Sequence, residues 1–315
     1  MLYITGITGH SGTWFLRRLS AEGYQGKIRC VMREPKKAAP HKYTIFENSC
    51  LDIEFAIGDL RDEAFLMESL KGVDTIVHTA GISHSHKLID VAIKNNVDWA
   101  ILVHTTGRFS KYKSASSEYI NIEDRVMNQC HQANIDGMNT LNLTILRPTM
   151  IYGSSKDRNM YRLVEYLSKH KLFPMFGNGG NLMQPVHARD LGNAYYDILM
   201  QPNVTKNREY NLSGKFAISY AELIGIVAST LKKNIILIRL PLSFSIFAAK
   251  IYNALFKNAI ITVEQVMRMQ EDKAFSHDDA AKDFGFNPIS FEDGIKEEVD
   301  EYLRGVRITY TGVKY

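Results

Sequence analysis

Cysteine is scarce in this sequence. Cys30, Cys50 and Cys130 are the only three in 315 residues, and no C-x-x-C pair occurs. An odd count at wide spacing excludes a disulfide framework or a cysteine-based zinc ribbon, and a reducing cytoplasm is the expected home. Proline is sparse too, at eight residues, and no low-complexity tract separates two tethered modules. Neither sign of charge dominates: 38 Lys and Arg against 34 Asp and Glu leave a formal net charge of +4. Without a clustered basic face, that gives no ground for a nucleic-acid partner. A long uncharged hydrophobic run is also missing. The most apolar stretch, 235–256, is broken by Arg239, Pro241 and Lys250, whereas a spanning helix needs about 20 nearly charge-free residues. No integral membrane segment is therefore expected. Residues 242–256 read as an amphipathic helix covering a core; a membrane-surface role is the weaker reading, because the polar face is only modestly basic. The opening MLYITGITGHSG reads as a strand and a glycine turn, not as a signal peptide.

What is present is a globular mixture, 45% hydrophobic and 23% charged, enough to bury a large core. The first half alternates short apolar runs (2–5, 28–32, 52–57, 75–78, 100–104 and 143–147) with helical patterns (11–22, 62–70, 84–95 and 117–133). Such alternation predicts an α/β fold, a doubly wound parallel sheet with helices on both faces. After Pro148 the texture shifts to Gly, Asn, Tyr and Pro. Helices are expected at 159–170, 188–200 and 219–232, with strands at 210–212 and 235–239. The expected division is a Rossmann-type domain of residues 1–150 plus about 188–207. A smaller mixed α/β C-terminal lobe for substrate takes about 151–187 and 208–315.

The strongest motif is Thr5-Gly6-Ile7-Thr8-Gly9-His10-Ser11-Gly12, placed after a strand and opening a helix. One glycine permits the tight turn, one lets backbone approach a pyrophosphate, and one lets helix and strand pack closely. The helix N-terminus then offers free N–H groups and a positive dipole end. Gly6, Thr8, Gly9, His10, Ser11 and Gly12 are therefore candidate cofactor contacts. Asp59, ending the third strand, is placed to accept from an adenine amino group while Leu60 packs the ring; the competing reading of Asp59 is a helix N-cap. Thr79, Ala80 and Gly81 end the fourth strand, where small residues leave room for ribose and diphosphate. After the second strand, Arg33 followed by Lys36 and Lys37 favours the 2′-phosphate of NADP, and Glu34 is the opposing signal for NAD.

These pieces resemble the short-chain dehydrogenase/reductase superfamily, in its extended and atypical branch of NAD-dependent epimerases and dehydratases. The glycine turn, Leu146-Arg147-Pro148-Thr149-Met150-Ile151-Tyr152-Gly153, Gln184-Pro185-Val186-His187-Ala188-Arg189-Asp190-Leu191, Tyr210-Asn211-Leu212-Ser213-Gly214 and Phe284-Gly285-Phe286-Asn287-Pro288 follow that family's order. The resemblance implies a Rossmann fold with a small substrate lobe. It also implies a nucleotide sugar or similar carbonyl substrate, and it allows a homodimer.

The resemblance also implies a Ser/Thr followed by Tyr-x-x-x-Lys, and the second element is absent. Thr105 and Thr106 are candidates for the first, Thr105 also beside the cofactor. Two registers are open for the rest. In one, Tyr119 is the acid/base and Glu123 replaces the lysine. A carboxylate one helical turn from a phenol holds the phenolic proton more tightly, opposite to what proton abstraction needs. In the other, Glu123 matches a glutamate further along the helix, Tyr119 takes the lysine position and Ala115 the tyrosine position. Tyr112, flanked by Lys111 and Lys113, is then the substitute proton donor. The second register is favoured, because 134–142 read as a loop long enough to absorb the spacing. Tyr152, Asn181, Gln184 and His187 are candidate substrate contacts. No metal is expected: His84 and His86 stand two apart, off a common helix face, with no acid cluster. Three functions stay open: an NADP-dependent reductase or epimerase, a sensor of the NADP/NADPH ratio, and a structural subunit. The polar 177–187 loop favours the first.

Overall fold

In the computed structural model of the chain, the described residues are 1–33, 50–137, 140–157, 159–244, 246 and 263–311, without the side chains of 134, 265 and 306–311. Glu34, Lys36 and Lys37 lie outside them, as does most of the 242–256 stretch.

Seven strands form one parallel sheet: β1 (Leu2–Thr5), β2 (Ile28–Met32), β3 (Ile53–Ile57), β4 (Thr75–His78), β5 (Trp99–Val103), β6 (Asn142–Pro148) and β11 (Glu209–Leu212), in the order β11-β6-β5-β4-β1-β2-β3. The order reverses direction at β1/β4, the point where sheets of this topology form a crevice beyond the strand C-termini. β5 reads Trp-Ala-Ile-Leu-Val and is buried throughout, the pattern of a strand covered on both faces.

Two cores sandwich the sheet. On one face, Phe15, Leu16 and Leu19 of helix α1 (His10–Ala21) meet Leu191, Ala194, Tyr195 and Ile198 of helix Ala188–Leu199. On the other, Leu66, Leu88, Ile89, Val91 and Val126 pack from helices Glu63–Ser69, Ser85–Lys94 and Lys113–Ile135. The sheet with its flanking helices is a Rossmann-like α/β fold.

A third core joins helix Met160–Lys169, helix Tyr220–Thr230 and helix Phe291–Thr311 through Val164, Leu167, Leu223, Val227, Ile295 and Val299. Beside it run short strands: β7 (Ile151–Tyr152) with β10 (Val186–His187), β9 (Leu182–Met183) with β12 (Ile218–Ser219), and β8 (Leu172–Phe176) with β13 (Ile236–Leu240). The lobe boundaries differ from the sequence division in one respect. β11 pairs in register with β6, and Ala280, Phe284 and Phe286 join the first core, so parts of 208–315 pack with the seven-stranded sheet. Two-residue strands carry no periodicity, and Pro174 masks β8 as a strand, which is why these were not expected.

Candidate functional site

The turn after β1 is shaped by contacts that exclude side chains. Gly6 has φ +76°, in the left-handed region, and a Cβ there would meet the Thr79 hydroxyl at 2.4 Å. A Cβ on Gly12 would meet the Gly6 carbonyl at 2.3 Å. The Gly9 N–H donates to that same carbonyl at 2.8 Å, closing the turn. Gly9 is the N-cap of α1; no side chain caps the helix and no acid stands in its first turn. A helix start without a competing carboxylate attracts an anion.

The floor of the crevice is tied across β1 and β4. The Thr79 hydroxyl donates to the Thr5 carbonyl at 2.8 Å. His78 bridges the Thr5 hydroxyl (2.7 Å) and the Gly81 carbonyl (3.0 Å). A carbonyl only accepts, so Nε2 carries the proton and Nδ1 accepts from Thr5. Complete burial pushes the His78 pKa down to about 3, so the ring is neutral.

The other turn and strand-end candidates fall around this crevice. Thr8 is exposed. The Ser11 hydroxyl accepts from Tyr195 at 3.1 Å and is buried. His10 is half-buried, and burial pushes its pKa down to about 4. Arg33 directly follows β2 and is exposed. Asp59 is held by Arg61, whose Nη2 lies 2.7 Å away, and this ion pair keeps its carboxyl well below the usual range. Asp59 does not cap the next helix; Asp62 does, accepting from Ala64 N–H at 2.9 Å. Leu60 is buried and packs in the second core. Thr79 is half-buried, while Ala80 and Gly81, the latter at φ +120°, are exposed.

The adjoining region, past β5, is filled instead. Glu123 is 0% exposed and ion-paired to both Arg147 and Arg108. Arg147 Nε donates to both carboxylate oxygens at 3.0 and 3.3 Å, and its Nη2 also meets Glu209. His104 Nδ1 donates to Glu123 at 2.9 Å while Nε2 accepts from the Ser85 hydroxyl at 3.0 Å. Burial and the two guanidinium groups push the His104 pKa down to about 3. Ser85, His104 and Glu123 stand in the order of a nucleophile, base and acid, but all three are buried, so they act as a structural tie. The structure thus places Glu123 inside the protein, where its carboxylate balances two guanidinium charges.

The remaining proton-transfer candidates surround that cluster. The Thr106 hydroxyl is buried and donates to the Pro148 carbonyl at 3.2 Å. Thr105 is half-buried, and its hydroxyl accepts from Gly107 N–H at 3.0 Å. Tyr119 packs its ring over Gly107, where a Cβ would come within 2.9 Å. Tyr112 is half-buried just ahead of helix Lys113–Ile135, with the Lys111 ammonium 5.4 Å from its ring centre. Its loop is held by Glu271, which accepts from Ser110 (2.7 Å) and from Lys111 N–H (2.8 Å).

Three of the substrate candidates are packed inside. Tyr152 is fully buried, edge-on to His187 and Phe291 at 5.1 Å each, and burial raises its pKa. Gln184 donates to the Gly214 carbonyl (2.7 Å) and accepts from Phe275 N–H (2.9 Å), stapling three segments. His187 caps helix Ala188–Leu199 by accepting from Arg189 N–H at 3.1 Å, and burial pushes its pKa down to about 4. Asn181 is half-buried, its side-chain oxygen among the unpartnered buried atoms. Tyr152, Gln184 and His187 are thus packed between segments, with the Tyr152 hydroxyl and His187 Nε2 left without a hydrogen-bond partner.

One residue near the turn carried no sequence signal. Lys156 reaches the Thr8 carbonyl (3.2 Å) and the Thr13 hydroxyl (3.3 Å), at a cleft of about 290 Å³ lined by His10, Trp14, Arg17, Gly153 and Glu301. Nothing in its sequence neighbourhood marks that reach, because it arises from the fold.

Comparison with known proteins agrees with this architecture. Residues 2–108 match the model of the NAD dependent epimerase/dehydratase family. Phenylcoumaran benzylic ether reductase Pyrc5 of Pyrus communis is 32% identical over 82 residues, 26% of this chain and 26% of that protein. The chain spans about a quarter or less of the length of the curated relatives it matches. Among solved structures, the dTDP-glucose 4,6-dehydratase of Streptomyces venezuelae, with NAD bound, superposes with a TM-score of 0.70 at 19% identity, over 96% of this chain and 97% of that one. The UDP-glucuronic acid 4-epimerase of Bacillus cereus, bound to UDP-glucuronic acid and NAD, gives 0.71 at 16% identity, over 96% and 99%.

Proposed function

We propose that the chain binds a nicotinamide dinucleotide at the β1/β4 crevice and acts as an oxidoreductase or epimerase on a nucleotide sugar or similar carbonyl compound. The uncapped start of α1 behind Gly6, Gly9 and Gly12 is the observation that carries this reading. Its closed Cβ positions and unopposed N–H groups suit a diphosphate. Arg33 at the end of β2 favours NADP over NAD by offering a guanidinium to the 2′-phosphate. Asp59 is the proposed acceptor for the adenine amino group. A bound nicotinamide supplies hydride donation or acceptance. The chain's own part is to hold the dinucleotide, orient a carbonyl through Thr105 and move a proton through Tyr112. The family match over residues 2–108 and the NAD-bound neighbours of similar fold support the cofactor class.

Titration with NADPH and NADH tests the binding site. NADPH should bind, and Gly9→Val should weaken it by at least about tenfold, because its side chain would occupy the path of the phosphates. Unchanged affinity in that variant removes the assignment. A second reading is a redox-ratio sensor. It is favoured by Glu123, which is spent inside the protein, and by the lack of any lysine between Ala115 and Glu123. Hydride turnover on a panel of nucleotide sugars separates the two, since a sensor binds the cofactor and turns over none of them.

A further inference from the structure

The β8–β13 pair turns one face into the third core and the other outward. Phe173, Met175 and Leu237 pack with the core. The alternate residues pair across the strands: Leu172 with Ile236, Pro174 with Ile238, Phe176 with Leu240. Strand alternation puts these six on the opposite face. Leu172, Ile236 and Ile238 are 48%, 63% and 42% exposed, and Phe244, shortly after β13, is 58% exposed. A solvated sheet face alternates in polar residues; this one has none, and a continuous apolar strip of this kind marks an interaction surface.

The two segments that build the strip carry charge of one sign. Residues 166–189 contain no Asp or Glu, and residues 223–263 contain none either, against five Lys or Arg in the latter. Lys171 directly precedes β8, and Lys232 and Lys233 stand just ahead of β13; all three are exposed. Ile236 N–H donates to the Lys171 carbonyl at 2.8 Å, so these lysines gather at one end of the strip. In a second copy, these two segments would bring no acid to meet them. Apolar side chains beside lysines match the layering of an anionic leaflet, hydrocarbon beneath phosphate.

We propose that the outer face of β8 and β13 docks the protein on an anionic lipid surface. The contact is peripheral: no helix of the described residues is long and apolar enough to cross a membrane. Co-sedimentation of the full chain with phosphatidylglycerol-rich vesicles and with pure phosphatidylcholine vesicles tests it. Binding to the anionic vesicles, weakened by salt, is expected. Ile238→Asp should cut the bound fraction by about tenfold or more, and Lys232→Glu with Lys233→Glu should cut it similarly. Circular-dichroism melts report whether each variant is folded; if Ile238→Asp is not, the lysine reversals on the exposed turn still give the reading. The proposal is overturned by no sedimentation at low salt, by equal binding to neutral vesicles, or by variants that bind like the parent. A concentration-dependent dimer that Ile238→Asp dissolves, without vesicle binding, overturns it in favour of a second copy.

Discussion

Two neighbouring ends of one sheet are built in opposite ways. At β1/β4 the chain removes side chains: three glycines, Thr79 and Ala80 leave backbone and space, and a neutral His78 ties the floor. At β5/β6 it adds them: Glu123, His104, Arg108 and Arg147 fill the interior with paired charge. The first arrangement leaves hydrogen-bonding capacity for a ligand, and the second consumes its own. The contrast separates a region built from backbone and small residues from one built from buried charge. The half proposed to bind stands on backbone geometry, while the half beside it is held together by buried ion pairs.

The largest effect should come from emptying the filled half. Glu123→Ala leaves Arg108 and Arg147 without their buried counter-charge, which costs about 3–5 kcal/mol. Urea unfolding measures it. Pairing Glu123→Leu with Arg147→Met should recover much of the loss, since an apolar replacement removes both charges together. NADPH affinity of the folded single variant should stay within about threefold of the parent. A collapse in affinity would break the comparison and make the two halves one unit.

Acid should stress both halves at once. His78 and His104 both have pKa values pushed from 6.5 down to about 3 by burial. A depressed folded pKa means the unfolded chain takes up protons first. The stability they contribute is therefore complete above about 6.5 and is lost as pH falls toward about 3. At pH 5 each ring should cost about 2 kcal/mol relative to neutral pH. Urea midpoints at pH 7 and 5 for the parent, His78→Gln and His104→Gln check this, and each variant should show a shallower fall. Parallel curves would mean that neither ring carries the acid sensitivity.

The same contrast explains what could be read from sequence. The glycine turn is a local signal, because each glycine meets a constraint within a few residues or one strand away. The alternating strands likewise exposed six strands of the parallel sheet; the seventh, β11, enters it from a segment assigned to the lobe. Glu123 could not be placed, because its role depends on Arg147, 24 positions away, and on His104 across the helix–sheet interface. Tyr152, Gln184 and His187 have residue types that suit a sugar, yet their burial follows from packing between segments far apart in the chain.

Arg33 sharpens the binding half next. Loss of one charged contact to a phosphate is worth about 1.5–3 kcal/mol, or one to two decades in affinity. Arg33→Ala should therefore weaken NADPH by that factor and leave NADH nearly unchanged. Calorimetric titration of both cofactors decides it; equal affinities of the parent for the two would remove the NADP preference.

The smallest structural effect, and the sharpest chemical one, belongs to Tyr112 and Tyr119. Tyr119→Phe keeps the ring over Gly107 and deletes one hydroxyl on a half-buried side chain, so stability should change by less than about 1 kcal/mol. Tyr112→Phe leaves the ring beside the Lys111 ammonium and should be equally mild. Neither variant disturbs the glycine turn or the Glu123 cluster. A drop in catalytic rate therefore reports proton transfer alone, provided NADPH affinity is unchanged. Tyr112→Phe should lower the rate by about two decades or more, the usual contribution of a positioned acid or base, while Tyr119→Phe stays near the parent. The reverse result would put proton transfer on the helix face that also carries Glu123. It would show that chemistry and the buried charge cluster share one side of the fold after all.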